Sequence, residues 1–141
     1  MPVVRLIQRE EHAVLDKLAP DVFDKPIDLR LWAEFLADPR HHLAVATDGD
    51  LIVGMASGVH YVHPDKRPQM FINEVSVSSA YRRRGLGRRL IQALKDEAAR
   101  LHCTEAWVLA DANNESARAL YREAGGEEAK QPSIMYTFPA S

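Results

Sequence analysis

Residues 73–87 read NEVSVSSAYRRRGLG, a strand-like segment that runs directly into a loop of arginines and glycines. Apolar residues at helical spacing begin at Leu86, so a helix is predicted to start where the loop ends. Glycines at 85 and 87 permit positive φ and leave no Cβ between the backbone and a ligand. Free amides, the positive end of the helix dipole and arginine side chains can then converge on one anion. The stretch predicts a strand, loop and helix that together hold a pyrophosphate group.

Other interpretations of this loop are weaker. It is not a P-loop, because no Lys-Ser/Thr follows Gly87, and its spacing differs from the dinucleotide pattern G-x-G-x-x-G. A glycine turn that merely feeds an arginine-rich, solvated helix is the structural alternative. Nuclear localisation or RNA binding through Arg82-Arg83-Arg84 is disfavoured, because no aromatic platform accompanies these residues.

The segments on either side of the loop predict an α/β (α+β) fold. Strands are predicted at 3–7, 42–47, 51–59, 70–77, 106–110 and 134–138. Helices are predicted at 10–18, at 29–37, from Leu86 to Leu101, and from the cap at Asn113-Asn114 to 124. The order is βααβββαβαβ, a mixed sheet with helices on its faces. No linker or internal repeat is evident, so 1–141 is expected to be a single domain.

Composition and charge narrow the class of protein. The chain carries 18 Lys+Arg against 20 Asp+Glu, which disfavours a general nucleic-acid binder. It lacks an apolar run of roughly 20 residues that could span a membrane, and its lone Cys103 suits a reducing cytoplasm. Five arginines lie within 82–89, whereas 16–38 holds five aspartates and one glutamate. This distribution suits an anionic cofactor and a cationic substrate, although charge scattered for solubility is the simpler alternative.

Two motifs in this chain carry a family resemblance. The first is R-x-x-G-x-G at 82–87 after Val75-Ser76-Val77, and the second is Asn114-Glu115-Ser116-Ala117-Arg118-Ala119-Leu120-Tyr121, followed by 122–126. Together they resemble the GCN5-related N-acetyltransferase (GNAT) family, which implies a mostly antiparallel sheet and acetyl-CoA as co-substrate. Similarity to the aminoglycoside 3-N-acetyltransferase branch extends over nearly the whole chain, and it is carried by 53–54, 64–68, 74–77, 94–98, 110–111 and 119–121. Gly126 departs from the pattern, since the family usually has an aromatic there.

The resemblance implies where acetyl-CoA binds. In the family the fourth and fifth strands splay apart, and pantetheine lies in the gap. Pantetheine would therefore bond to the backbone of Val75 and Val77, and Asn114 would contact the cofactor near that arm. The pyrophosphate would meet the Arg82 side chain and the amides of Arg83, Arg84, Gly85, Leu86 and Gly87. No metal is expected.

Acetyl transfer to an amine requires a base, an acid and an oxyanion donor. Glu74 is the predicted base, although strand alternation would point it away from the side chain of Val75; a bulge is usual here in the family. Pairing with a surface cation is the alternative role for Glu74. Tyr121 resembles the family's general acid, but it also fits a core tyrosine. The Val75 amide would be the oxyanion donor.

The acceptor site is less defined by sequence. Asp111, after the fifth strand, is expected to receive a substrate ammonium, unless it is only a turn residue. Asp24 and Asp28 are weaker candidates for this role. His60 or Tyr61 is expected to line the acceptor pocket. Glu127 and Glu128 are expected to add an acidic rim to it. An acyl-cysteine at His102-Cys103 is disfavoured because neighbours at a helix end rarely face each other. A metal site at His60 and His63 is disfavoured by strand alternation.

The predicted function is direct transfer of acetyl from acetyl-CoA to a primary amine in a ternary complex. The leading acceptor is the 3-amino group of an aminoglycoside. The alternatives are polyamines, other small amines or protein amines, and a non-catalytic acyl-CoA-binding module. A homodimer that uses the last strand is common in the family.

Overall fold

The computed structural model describes residues 2–140. One five-stranded sheet organises them, in the order β1-β2-β3-β4-β5, with all neighbours antiparallel except β4 and β5, which are parallel. The strands are β1 (Val3–Leu6), β2 (His41–Asp48), β3 (Leu51–Tyr61), β4 (Gln69–Val77) and β5 (Ala106–Val108). The helices are α1 (Leu29–Ala37), α2 (Leu86–Arg100) and α3 (Glu115–Glu123), with short 3₁₀ turns at Val14–Asp16 and Ser79–Tyr81.

Helix α2 packs tightly on one face of the sheet. Gly54 and Gly58 in β3 allow this approach, because a Cβ at either position would lie 3.1 Å from a backbone oxygen of β4. Their Cβ atoms would also lie 3.2 and 3.5 Å from the side chains of Leu90 and Leu94. Apolar side chains of α2 and the central strands therefore form the core, among them Leu86, Leu90, Leu94, Ile52 and Met70.

The opposite face of the sheet, here called the far face, is partly covered by the segment that precedes β2. Ser76 donates from its hydroxyl to the carbonyl of Val22 at 2.5 Å, which ties β4 to this segment. Trp32 of α1 is buried and donates from its indole to the carbonyl of His12 at 2.9 Å. Pairing across the sheet puts Val59, Tyr61 and Phe71 on this same face.

The predicted helix at 10–18 is absent, and only the 3₁₀ turn Val14–Asp16 forms. The segment after the turn pairs with the start of β3 instead. The Ile52 amide donates to Lys17 at 2.9 Å, and the Ala19 amide donates to Ile52 at 2.8 Å. These non-local bonds fix an extended conformation at 17–19, so a helix cannot extend through Leu18.

The predicted strand at 134–138 is also absent, and no helix or strand follows α3 up to residue 140. Four of its large side chains are 76–87% exposed: Ile134, Met135, Tyr136 and Phe138. A strand needs a partner for its backbone groups, and β5 supplies only three paired residues, all to β4. Within 2–140, no helix is long and apolar enough to cross a membrane.

Candidate active site

Strands β4 and β5 separate in the middle of the sheet. They pair only from Met70–Ala106 to Ile72–Val108. Beyond that point β5 has ended, while β4 continues to Val77. The five residues Asn73–Val77 therefore have backbone groups on their β5 side that this strand does not bond. We call this opening the fork.

A β-bulge in β4 lies at the fork. Ser57 pairs with Glu74, but the next residue, Gly58, pairs with Ile72, so Asn73 is an extra residue. The extra residue reverses the strand's alternation. Glu74 consequently shares the far face with Phe71, while Val75, opposite Ala56, faces α2. The bulge suggested by the family resemblance is thus present, and Glu74 is exposed on the far face.

The loop after β4 exposes a row of backbone donors. Its start is anchored by Ser78, which is 2% exposed and donates from its amide to Val53 at 2.8 Å. Arg83 has φ +62° and Gly85 has φ +75°, so the chain turns twice into the left-handed region. In the part of the chain that the structure describes, the amides of 83–87 donate to no protein acceptor. The first turn of α2 adds its dipole, so this loop can bind an anion.

The arginines of the loop form hydrogen bonds that stabilise its conformation, and they also make it positively charged. Arg82 donates from Nε to the carbonyl of Val77 at 3.0 Å, and Arg84 donates to the carbonyl of Ala80 at 3.3 Å. The Arg84 guanidinium also lies 5.0 Å from the ring centre of Tyr81. Tyr81 in turn donates to Asp48 at 2.5 Å, and this hydrogen bond raises the pKa of Tyr81. Sequence reasoning missed this support, because Asp48 lies 33 residues away.

Tyr121 lies on the side of the fork opposite to Glu74. Asn114 caps α3 by accepting from the Ala117 amide at 3.1 Å, and this cap orients the helix that carries Tyr121. The Tyr121 ring lines a groove of about 530 Å³ between β5, α2 and α3. Burial in this groove raises the pKa of Tyr121, so its hydroxyl keeps its proton at neutral pH.

The acidic acceptor candidates lie apart from one another. Asp28 accepts from the amides of Arg30 and Leu31 at 2.9 and 3.1 Å, so its carboxylate is the N-cap of α1. Asp24 is exposed in the loop before α1. Asp111 is also exposed, and its backbone carbonyl accepts from the Asn114 amide in a turn. Glu128 is already paired with Arg118 and Arg122. None of these carboxylates is hydrogen-bonded to Glu74.

His60 does not join the acceptor candidates. Its Nδ1 lies 2.7 Å from Nε2 of His42, and both rings lie on the face covered by α2, near Glu97. Burial first, and the neighbouring His60 second, lower the pKa of His42 to about 4. The structure therefore places His60 on the other face from Glu74, contrary to the expected pocket position. No group of three or more possible metal ligands occurs among residues 2–140.

Aromatic side chains border the fork on the far face. Phe71 pairs with Trp107 across β4 and β5, and their ring centres are 4.5 Å apart. Tyr61 accepts a hydrogen bond from the Trp107 indole at 2.8 Å. The sequence suggested Tyr61 but did not identify Phe71 and Trp107 as site residues. Each is a single aromatic residue within a predicted strand, and such residues are too common to indicate a binding site.

Comparisons with known proteins identify the family of this chain. The model of the acetyltransferase (GNAT) family matches residues 6–125. N-alpha-acetyltransferase RimI of Mycobacterium tuberculosis is 32% identical over 104 residues, or 74% of this chain. The match covers 63% of that protein, so the chain spans less than two thirds of its length.

Solved structures share the fold at low identity. AAC(6')-Iy in complex with the bisubstrate analogue CoA-S-monomethyl-acetylneamine superposes with a TM-score of 0.80 at 20% identity, over 99% of both chains. The aminoglycoside acetyltransferase meta-AAC0020, from an uncultured soil metagenomic sample and bound to sisomicin, gives 0.79 at 19% identity, over 98% and 97%. The predicted fold class, an α+β sheet that is mostly antiparallel, is confirmed.

Proposed function

The chain belongs to the acetyltransferase (GNAT) family, and we propose that it transfers the acetyl group of acetyl-CoA to a primary amine. The observation that carries this proposal is the row of unbonded amides at 83–87 beside the fork. A left-handed Gly85 and the start of α2 fit a pyrophosphate, because a Cβ-free backbone can approach the anion closely. Bound acetyl-CoA supplies a thioester-activated acetyl group.

The roles proposed for the residues follow from their places around the fork. Glu74, exposed on the far face, removes a proton from the acceptor ammonium, either directly or through one water. The amide of Val75 donates to the acetyl oxygen as negative charge develops there. The neutral amine attacks the thioester carbon, and as the C–S bond breaks, Tyr121, on the α2 side, donates its proton to the leaving sulfur. The second proton that the nitrogen loses on becoming an amide returns to the tyrosinate. Base and acid thus act from opposite faces of the sheet, an arrangement that is compatible with direct transfer in a ternary complex.

We propose an aminoglycoside-type polycation as the acceptor, acetylated at its 3-amino group. The sequence resemblance to the 3-N branch supports this position, although one neighbouring structure is a 6'-acetyltransferase. Asp24 and Asp111 remain exposed and available to further ammonium groups. Asp28 contributes less because it caps α1.

A protein N-terminal amine is the second candidate acceptor. The similarity to RimI, an N-alpha-acetyltransferase, favours it. We also propose that the protein acts as a single domain in the cytoplasm and that it needs neither a nucleic-acid partner nor a metal ion.

One assay separates these possibilities. The purified protein is given acetyl-CoA and an amine panel, and release of free thiol is followed. Turnover with aminoglycosides, with NMR of the product locating the acetyl group, supports the first acceptor, and turnover with peptides supports the second. Binding of CoA by calorimetry without turnover of any amine would show a non-catalytic module and overturn the proposal.

Glu74→Gln tests the base. The variant should lower kcat/KM by about 10²–10⁴-fold, the contribution of general acid–base catalysis, while CoA affinity is retained. A wild-type kcat/KM in the variant would exclude Glu74 from this role.

A further inference from the structure

The acetyl-transfer chemistry leaves one group of side chains at the fork without a role. This group, the aromatic cluster, consists of Tyr61, Phe71 and Trp107, which are all partly buried on the far face. Phe71 and Trp107 pack with ring centres 4.5 Å apart and planes inclined by 37°. Tyr61 meets Trp107 edge to face at 6.4 Å and 85°. Three strands thus each contribute one ring to a continuous surface.

Hydrogen bonds hold the cluster in one orientation. Trp107 donates from Nε1 to Tyr61 Oη at 2.8 Å, and Tyr61 donates to Gln69 Oε1 at 2.5 Å. His63 packs edge-on against Tyr61 at 5.2 Å, and its buried Nε2 has no hydrogen-bond partner within residues 2–140. A tryptophan fixed in this way presents a rigid surface and loses little entropy when it contacts a ligand.

The cluster lies next to the proposed base. The Phe71–Trp107 pair is the second to last before the strands part, and Glu74 is the next β4 side chain on that face after the bulge. Three residues of strand correspond to about 10 Å at about 3.3 Å per residue, and the bulge shortens this distance. An acceptor whose amine reaches Glu74 therefore has its adjoining carbons within reach of the aromatic rings.

We propose that the aromatic cluster determines acceptor specificity by binding apolar surface beside the reactive amine. The preferred acceptor is then a primary amine carried by a ring or by a carbon with an apolar side chain. This inference rests on the proposed acetyl transfer and deepens it. An amino-sugar ring and an apolar N-terminal residue share this chemistry, so the test includes a probe for each.

Two pairs of acceptors with equal charge provide the test. Cyclohexylamine against methylamine represents the ring, and leucinamide against glycinamide represents the peptide end. The wild-type protein is expected to prefer the larger amine of at least one pair by roughly 10-fold or more in kcat/KM, the size of a hydrophobic contact in a binding pocket. A preference within the first pair indicates a ring-borne amine as the natural acceptor, and a preference within the second pair indicates a peptide N-terminus.

Variants then assign the preference to the cluster. Trp107→Ala should remove most of it by raising KM for the larger amine, with the smaller amine and CoA affinity changed less than about 3-fold. Trp107→Phe retains a ring without the indole donor and should restore a substantial part of the preference. Leu109→Ala, which removes an apolar side chain that is 60% exposed just after β5, is the matched control and should change neither ratio.

The outcomes are distinct. Equal turnover of both members of each pair by the wild type, or an unchanged preference in Trp107→Ala, would overturn this inference and leave acetyl transfer standing. Absence of turnover with every amine would overturn the proposed function, and the inference with it. Circular dichroism of each variant checks that the fold is retained.

Discussion

At the residue scale, two left-handed glycines have the same backbone conformation but different surroundings. Gly49 and Gly85 both have positive φ, +62° and +75°, and a Cβ at either position would meet no atom closer than 3.9 Å. Their backbone requirements are therefore alike. Gly49 lies in the β2–β3 hairpin, whereas Gly85 lies among the unbonded amides before α2.

We expect Gly85→Ala and Gly49→Ala to cost similar stability, about 1–2 kcal/mol each, because both force an L-residue into the left-handed region. Only Gly85→Ala should weaken CoA binding, since it adds a methyl group to the loop proposed to hold the pyrophosphate. Thermal unfolding and calorimetric titration with CoA measure the two effects. Equal CoA affinities in the two variants would contradict the position given to the pyrophosphate.

Tyr121 gives a second prediction at this scale. Tyr121→Phe should lower kcat by about 10²–10⁴-fold, the range of general acid catalysis, while CoA affinity stays near wild type. The acid must be protonated, so activity should persist below its pKa and fall above it. Burial raises that pKa, which moves the fall to more alkaline pH. The pH profile of kcat checks this, and the alkaline fall due to Tyr121 should vanish in the variant; an unchanged kcat would exclude Tyr121 as the acid.

At the element scale, His42 and His60 join β2 and β3 at one end of the sheet. Burial lowers the pKa of both rings, and that of His42 reaches about 4. The folded pKa of His42 is thus below its usual value of about 6.5. Its contribution to stability is therefore complete above pH 6.5 and is lost as the pH falls from 6.5 toward 4. Charged and titratable groups that act on the pair include Glu97, Arg100, His41, Arg40 and Asp38.

We expect the melting temperature to fall between pH 7 and pH 4.5, and to fall less steeply in His42→Gln. Glutamine keeps a hydrogen-bonding partner for His60 but adds no titration. Differential scanning calorimetry across this range measures the slope. His12→Gln, which changes a histidine outside this pair, is the control. An identical slope for wild type and His42→Gln would show that the pair does not govern acid stability.

At the scale of the whole molecule, the segment after α3 contributes little to the described fold. Its large apolar side chains at 134–138 are mostly exposed, and exposed apolar surface of this kind favours association. A stop after Pro132 should therefore leave the melting temperature almost unchanged and reduce self-association in light scattering. Ile134→Ser with Tyr136→Ser should act in the same way without shortening the chain. A fall of several degrees in the monomer would show that the segment packs on its own domain.

Some features followed from the sequence because they depend on neighbouring residues. Helix α1 was predicted at 29–37 and occurs there, with Asp28 as its cap and Asp38 at its end. The start of α2 was also predicted, because the glycines and the apolar stripe that indicate it lie within one helical turn of Leu86. The first predicted helix failed where a distant strand supplied hydrogen bonds to Lys17 and Ala19, and the last predicted strand failed for lack of a partner.

The sequence by itself determined the family and the loop of free amides at 83–87, because positive φ, free amides and a helix dipole arise within a few consecutive residues. Only the tertiary structure decided what surrounds Glu74. The register of β3 against β4 creates the bulge at Asn73, and the bulge brings Glu74 to the same face as Phe71 and Trp107. The same register sends His60 to the other face, beside His42. Side chains alternate along a strand, so a single extra residue reverses every assignment beyond it, and that residue becomes visible only when two strands are paired.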